Sequence, residues 1–335
     1  MLKHLFFMAL LIFPSFCLTE PSLSAVFCIL QYKNTNNLTP KIVNTMIYNN
    51  SDSISNNLEN AYNKMSYGKY AINKSNIFIV TKTIYTLTGT MNDKPYNLNS
   101  SSCNDNMYTA KSLCDQEITT KLTKKIIFLP SFFDSYCNFY GGSVILGNES
   151  IVWITDKERT INEKINTIIH ELGHIFGLYH ASDSMWAYGD CNDPMGCATG
   201  NNGITQHNSI NLMKLGWAYP IDVINNVSIQ KQYIVVATRL SKINYIKVND
   251  IYISYRSLGL NKYDLDRELN NVKSIKNNSM YITGDQTVLV HTNILNNTLT
   301  MLLGGMKQGD IWVQKNIKIT ILNTNNMYAF IQINT

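Results

Sequence analysis

Residues His170-Glu-Leu-Gly-His-Ile-Phe-Gly-Leu-Tyr-His180 decide how this chain is read. On an α-helix, positions four apart share a face, so His170 and His174 project side by side and can share a metal ion. Glu171 follows the first of them and is angled toward the open side of such an ion. Gly177 can adopt positive φ and lets the chain turn back, so that His180 returns a third nitrogen. Three neutral imidazoles leave a tetrahedral Zn2+ one position for water, the pattern of a catalytic rather than a structural site. An ion so held lowers the pKa of water from ~16 toward ~7 and polarises a peptide carbonyl, with Glu171 placed as general base. Three of the chain's 6 histidines fall in this one stretch, which incidental surface placement does not explain.

The flanks support a helix. Thr160 followed by Glu163 makes a capping box, and Ile161, Ile165, Ile168, Leu172 and Ile175 or Phe176 form an apolar stripe at helical spacing. Downstream, Pro194 and Gly196 in Tyr188-Gly-Asp-Cys-Asn-Asp-Pro-Met-Gly196 favour a tight turn around Met195. Asp183, Asp190 and Asp193 either orient histidines from behind or simply form turns on a polar loop. His207 and His291 are expected to be structural. Tyr188 is a candidate pocket residue by proximity alone.

Further out, Val26–Tyr32 and Asn76–Leu87 read as strands, with a helix over Asp52–Met65 capped by Ser51 or Asp52 between them. Gly89–Asn106 is polar and reads as a loop, Lys125–Leu129 as a strand, and Ser143–Thr155 as a hairpin or bulged pair around Gly147. A short helix over Asn208–Leu215 closes at Gly216. Beyond Asp222, strand-like runs (233–237, 246–255, 287–291, 317–322, 328–333) alternate with Asn/Gly turns and suggest a sandwich.

Composition narrows the class. A chain of 335 residues with 45% hydrophobic and 15% charged residues buries a sizeable core. A net charge of +5 without a dense basic block argues against nucleic-acid binding. Lys3 and His4 before the apolar run Leu5–Phe13, then Ser15 and Cys17, read as a signal peptide over 1–17, with cleavage as late as 25 as an alternative. A buried N-terminal helix or an uncleaved anchor is the rival reading. No later stretch is apolar enough for a membrane anchor. Few residues separate this signal from the first strand, so no inhibitory pro-segment is expected. Once Cys17 leaves with the signal, an even set of cysteines remains, as an exported disulfide-bonded chain requires. Short loops make Cys103–Cys114 and Cys191–Cys197 the first pairs to test. Cys28 is either a latency thiolate or, as we expect, a buried or disulfide-bonded residue.

Taken together, His170–His180, the Tyr188–Gly196 run and Asn208-Ser-Ile-Asn-Leu-Met-Lys-Leu-Gly-Trp217 resemble the gametolysin peptidases, metzincin zinc endopeptidases that are secreted and digest glycoprotein walls and matrices. Weaker echoes at Ser66-Tyr-Gly68, Tyr252-Ile-Ser-Tyr-Arg256 and Val290-His291 extend the likeness over most of residues 26 to 300. The resemblance implies His170, His174 and His180 as zinc ligands, Glu171 as catalytic base, and Met195 as the methionine of a turn beneath the histidines. Some metzincins carry a tyrosine two residues after that methionine; here the position is Cys197, so oxyanion stabilisation falls to zinc and backbone donors.

The expected protein therefore has an α/β (α+β) metzincin-like domain over 26–219, with a twisted mixed sheet and an active-site helix, followed by a β-rich domain over 220–335. It is expected to hydrolyse internal bonds of extracellular, matrix or cell-wall proteins, with no nucleic-acid partner and no membrane anchor. The rivals are a secreted adhesion protein that retains its zinc site without catalysis, and a zinc hydrolase acting on small amides.

Overall fold

A computed structural model describes residues 22–33, 38–48, 57–91, 93–133, 137, 141–156, 160–197, 203–225, 228, 230–260, 264–266, 272–276, 279–294 and 298–335. The signal peptide expected over 1–17, its alternative cleavage point near 25 excepted, lies outside these residues, as do the first five residues of the helix expected over 52–65. The described helix starts at Leu58 and is capped by Asn57, not by Ser51 or Asp52.

The chain opens with β1 (Ser22–Tyr32), α1 (Pro40–Tyr48), α2 (Leu58–Met65) and β2 (Ala71–Ile84). A small hairpin, β3 (Thr88–Met91) with β4 (Lys94–Asn97), precedes α3 (Cys103–Asp115), β5 (Lys124–Leu129), β6 (Gly141–Leu146) and β7 (Glu149–Thr155). One sheet runs β2-β1-β5-β7-β6; its first four strands are parallel and β6 is antiparallel at the edge. Strands in such a sheet are buried on both faces. In β1, Ala25, Phe27 and Ile29 share a core with α1 and α2, while Cys28 and Leu30 pack on the opposite face with Ala110 and Leu113 of α3.

Three expectations need correction here. The segment 89–106 is not a loop: it holds the β3–β4 hairpin and the start of α3, because Ser102 caps the Asp105 amide and the buried Ala110, Leu113 and Cys114 lie beyond the polar stretch. Helix α1 was not foreseen, although Pro40 sits at its first position and Val43, Met46 and Ile47 are buried at helical spacing. Cys103 and Cys114 do not pair. They sit at opposite ends of α3, ~16 Å apart at 1.5 Å per residue, beyond the reach of a disulfide. The bonds are instead Cys28–Cys114, Cys103–Cys137 and Cys191–Cys197, the last as expected, and Cys28 is therefore no free thiolate.

Next come α4 (Ile161–Ile175), β8 (Ala181–Ser182) and α5 (Ser209–Lys214). The rest of the chain is strand: β9 (Tyr219–Ile224), β10 (Gln230–Val236), β11 (Ile243–Val248), β12 (Ile251–Arg256), β13 (Val272–Lys276), β14 (Ser279–Thr283), β15 (Thr287–Ile294), β16 (Leu299–Met306), β17 (Ile311–Gln314), β18 (Ile317–Thr324) and β19 (Tyr328–Asn334). The run expected as one strand over 246–255 is a hairpin, turned at Asn249 with φ 54°. A six-stranded sheet, β8-β16-β15-β12-β11-β9, and a four-stranded sheet, β10-β19-β18-β17, enclose a common core that includes Val235, Ile253, Val290, Ile319 and Ile331. Strand β8 forms directly after His180 and pairs with β16, which ties the histidine segment to the edge of the C-terminal sheet.

The architecture is thus mixed α/β with a strand-rich C-terminal region. Among the described residues, no helix is long and apolar enough to cross a membrane.

Candidate metal centre

Helix α4 begins as its sequence dictates. The Thr160 hydroxyl accepts from the Glu163 amide at 3.2 Å, and the Glu163 carboxylate accepts from the Thr160 amide at 2.7 Å. Ile165, Ile168, Ile169 and Leu172 bury the stripe that fixes the rotation of the helix. At its end Gly177, with φ 84°, permits a Schellman closure: the Leu178 amide donates to Gly173 and the Gly177 amide to His174. The chain then doubles back and carries His180 to the two helical histidines.

The coordinating atoms of His170, His174 and His180 lie within 4.8 Å of one another. Nδ1 of His170 meets the carbonyl of Pro194 at 2.7 Å, and Nδ1 of His174 meets that of Leu178 at 2.9 Å. A carbonyl can only accept, so each Nδ1 carries the proton and each Nε2 presents a free lone pair. Nε2 of His174 and Nε2 of His180 face each other at 3.1 Å. With His180 in the same tautomer, two lone pairs at that separation would repel unless a cation sat near both. Ligands at ~2.0–2.1 Å in a tetrahedral zinc site would be ~3.3 Å apart, close to the observed spacing.

Protonation does not supply that cation. Burial, reinforced by the neighbouring imidazoles, holds His170 down to about 4 and His180 to about 3. His174 is lowered by burial against the opposing hydrogen bond to Leu178. All three are neutral at pH 7, as metal ligands must be. Burial pushes the Glu171 carboxyl up to about 7, against a hydrogen bond from Ser143. Its near neighbour is Gly141 on β6, where a Cβ would sit 3.1 Å from Glu171 Oε1; glycine lets the edge strand approach this closely.

Met195 is fully buried beneath the helix, its sulfur against Gly173, where even a methyl group would collide with it. Its amide donates to Asp193 Oδ1 at 2.6 Å and its carbonyl accepts from Ala181 at 2.9 Å. Of the three aspartates, Asp183 is a turn-former, accepting from the Met185 and Trp186 amides at 2.8 Å each. Asp193 accepts from the Asn208 amide and the Asn211 side chain and lies 3.2 Å from Nδ1 of His207. Asp190 lies 2.9 Å from Nε2 of His291. Neither Asp190 nor Asp193 bonds a histidine of the triad; both hold the loop whose Pro194 carbonyl does. His207 and His291 are the buried structural partners expected of them.

One feature escaped the sequence reading, and another was read there by proximity alone. Arg256 is wholly buried, forks onto both oxygens of Asp266 at 2.7 and 2.8 Å, and donates to the carbonyls of Asn192 and Gln206. The C-terminal sheet thereby grips the Met195 loop. The Tyr188 ring lies 3.9 Å from that of His180 and 5.9 Å from that of His170, with its phenol pKa raised by burial and secondarily by Glu171. No local pattern signals the Arg256 contacts, which only the pairing of distant segments creates; Tyr188 reaches His180 within one loop.

Residues 26–329 match the model of the family described as gametolysin peptidase M11. No curated protein matches the chain.

Proposed function

The chain belongs to the gametolysin M11 peptidases, and on that premise we propose that it is a secreted, zinc-dependent endopeptidase of the metzincin type acting on extracellular or matrix (glyco)proteins. Membership makes it a metallopeptidase. The observation that carries the finer reading is the convergence of three imidazoles, two of them with Nε2 freed by Nδ1–carbonyl hydrogen bonds, beside a buried carboxylate. His170, His174 and His180 would hold the zinc, which supplies Lewis acidity toward water and the peptide carbonyl.

The chain's own groups do the rest. Glu171, with its carboxyl poised at about 7, would in its ionised form take a proton from the attacking water and give it to the departing amine. Met195 floors the site and the Pro194 carbonyl orients His170. Residues 26–219 would carry this machinery. Residues 220–335 would brace it, through the contact of β16 with β8, Arg256 with Asn192, and His291 with Asp190. Three disulfides and the absence of a membrane-spanning helix among the described residues support export.

The test compares wild type with Glu171→Gln on a denatured extracellular protein, with and without a chelator. Loss of the base should lower the rate by about 10²–10⁴, and chelation should abolish it. Equal rates for the two proteins would favour a non-catalytic adhesion protein that retains its zinc. Turnover of small amides alone would mean that it is not an endopeptidase.

A further inference from the structure

Between the third histidine and Met195 runs a loop that displays large apolar side chains to solvent. Trp186 is 57% exposed and Met185 70% exposed. Such exposure is ordinary on a floppy segment, but this loop is braced throughout. The Asp183 amide donates to the Trp186 carbonyl at 3.1 Å and the Gly189 amide to the same oxygen at 2.9 Å. The Asp183 carboxylate caps the Met185 and Trp186 amides, and it presses on Gly189 so closely that any side chain there would strike it. Ala181 anchors one end on β16, and the Cys191–Cys197 bond closes the other. The backbone that carries the indole is therefore fixed.

It is also joined to the histidines. The Trp186 ring lies 5.5 Å from that of Tyr188, which lies 3.9 Å from that of His180. These two ring-to-ring steps span about three residues of an extended peptide, at ~3.3 Å per residue. An aromatic surface that is rigid, exposed and continuous with a catalytic centre is the kind of surface that anchors a partner, since tryptophan and tyrosine bury large area at small entropic loss.

We infer that Trp186 and Tyr188 form a recognition ledge for a large apolar side chain, aromatic or aliphatic, within about three residues of the bond to be cleaved in a polypeptide substrate. This rests on the peptidase reading above and adds a substrate class to it. Tyr188 is the inner wall, fixed against His180; Trp186 is the outer, accessible contact.

The experiment uses the zinc-loaded protein and matched fluorogenic peptides that differ only by Phe or Ser at single positions around the cleaved bond. Wild type should prefer Phe by about tenfold or more in kcat/KM at one position, the worth of one large apolar contact. In Trp186→Ala that preference should fall to about threefold or less, and Trp186→Phe should restore most of it. An unchanged preference in Trp186→Ala, or an equal loss on every peptide, overturns the ledge. Binding of the same labelled peptides to Glu171→Gln, with and without Trp186→Ala, separates the two claims. Cleavage without any Trp186 dependence sinks the ledge and leaves the peptidase. Trp186-dependent binding of the Phe peptide without cleavage by wild type leaves the ledge and sinks the peptidase.

Discussion

Replacing Gly196 by alanine tests whether the turn around Met195 positions the third histidine. Gly196 does not have positive φ, so the obstacle to a side chain is steric. An added Cβ would lie 2.7 Å from the carbonyl carbon of Asp190 and 2.9 Å from the carbonyl oxygen of Ala181, with the Asp190 oxygen nearer still. All of these are backbone atoms, so no rotamer change relieves the clash. Restoring a carbon–carbon contact of ~3.5 Å demands a movement of at least roughly 0.8 Å, and relieving the nearer Asp190 oxygen demands more. Ala181 directly follows His180 and is held on both sides, donating to the Met195 carbonyl at 2.9 Å and accepting from the Asp190 amide at 3.1 Å. Overpacking at ~1–3 kcal/mol and the loss of two hydrogen bonds at ~0.5–1.5 kcal/mol each sum to about 2–6 kcal/mol. Thermal melting should therefore fall by roughly 3–10 °C. Displacement of His180 should weaken zinc binding by about 10–100-fold, measured by competition with a chromogenic chelator. Gly147→Ala is the control: Gly147 has φ 58° and open space around it, so only the conformational cost of ~1–2 kcal/mol applies and zinc affinity stays put. The reasoning fails if Gly196→Ala binds zinc within about threefold of wild type and melts with the control.

Arg256→Met should cost about 3–5 kcal/mol in denaturant unfolding, because it strands the buried Asp266 carboxylate and two carbonyls; adding Asp266→Asn should recover part of the loss, and a single-variant effect below ~1 kcal/mol would contradict the role assigned to the pair. For the metal-free protein, Glu171 sets a pH dependence of known sign. Its folded pKa of about 7 lies above the ordinary 4.5, so its contribution to stability is intact below pH 4.5 and is lost as pH rises through 7. Glu171→Gln should therefore gain on wild type by about 3 kcal/mol between pH 4.5 and 8, the histidine contributions cancelling in the comparison; a flat difference would refute it. The same gain would show that lost catalysis in Glu171→Gln is not lost folding.

Helix α4, its capping box, its glycine closure and the pair His170–His174 were legible because each depends on residues within two turns of one another. The strand-rich C-terminal region was legible for a similar reason, since alternation and Asn/Gly turns act over a few residues. Helices α1 and α3 were harder to read. Their apolar faces are short, and in α3 the capping serine is hidden in a polar stretch that resembles a loop.

What tertiary structure alone decided involves partners far apart in the chain. Cysteine pairing is one case: short sequence separation favoured Cys103–Cys114, yet a helix between the two holds them apart, and Cys114 bonds Cys28 on the strand that α3 packs against instead. The buried network is another. Asp190, Asp193, Arg256 and Asp266 carry no sign of burial in the sequence; they are enclosed when the strands bearing Arg256 and His291 close on the Met195 loop. By itself the sequence determined the chemistry of the centre, because a helical period of 3.6 residues places two imidazoles on one face. Only the fold decided what orients those imidazoles and which aromatic rings reach solvent beside them, because burial and long-range hydrogen bonding leave no periodic trace.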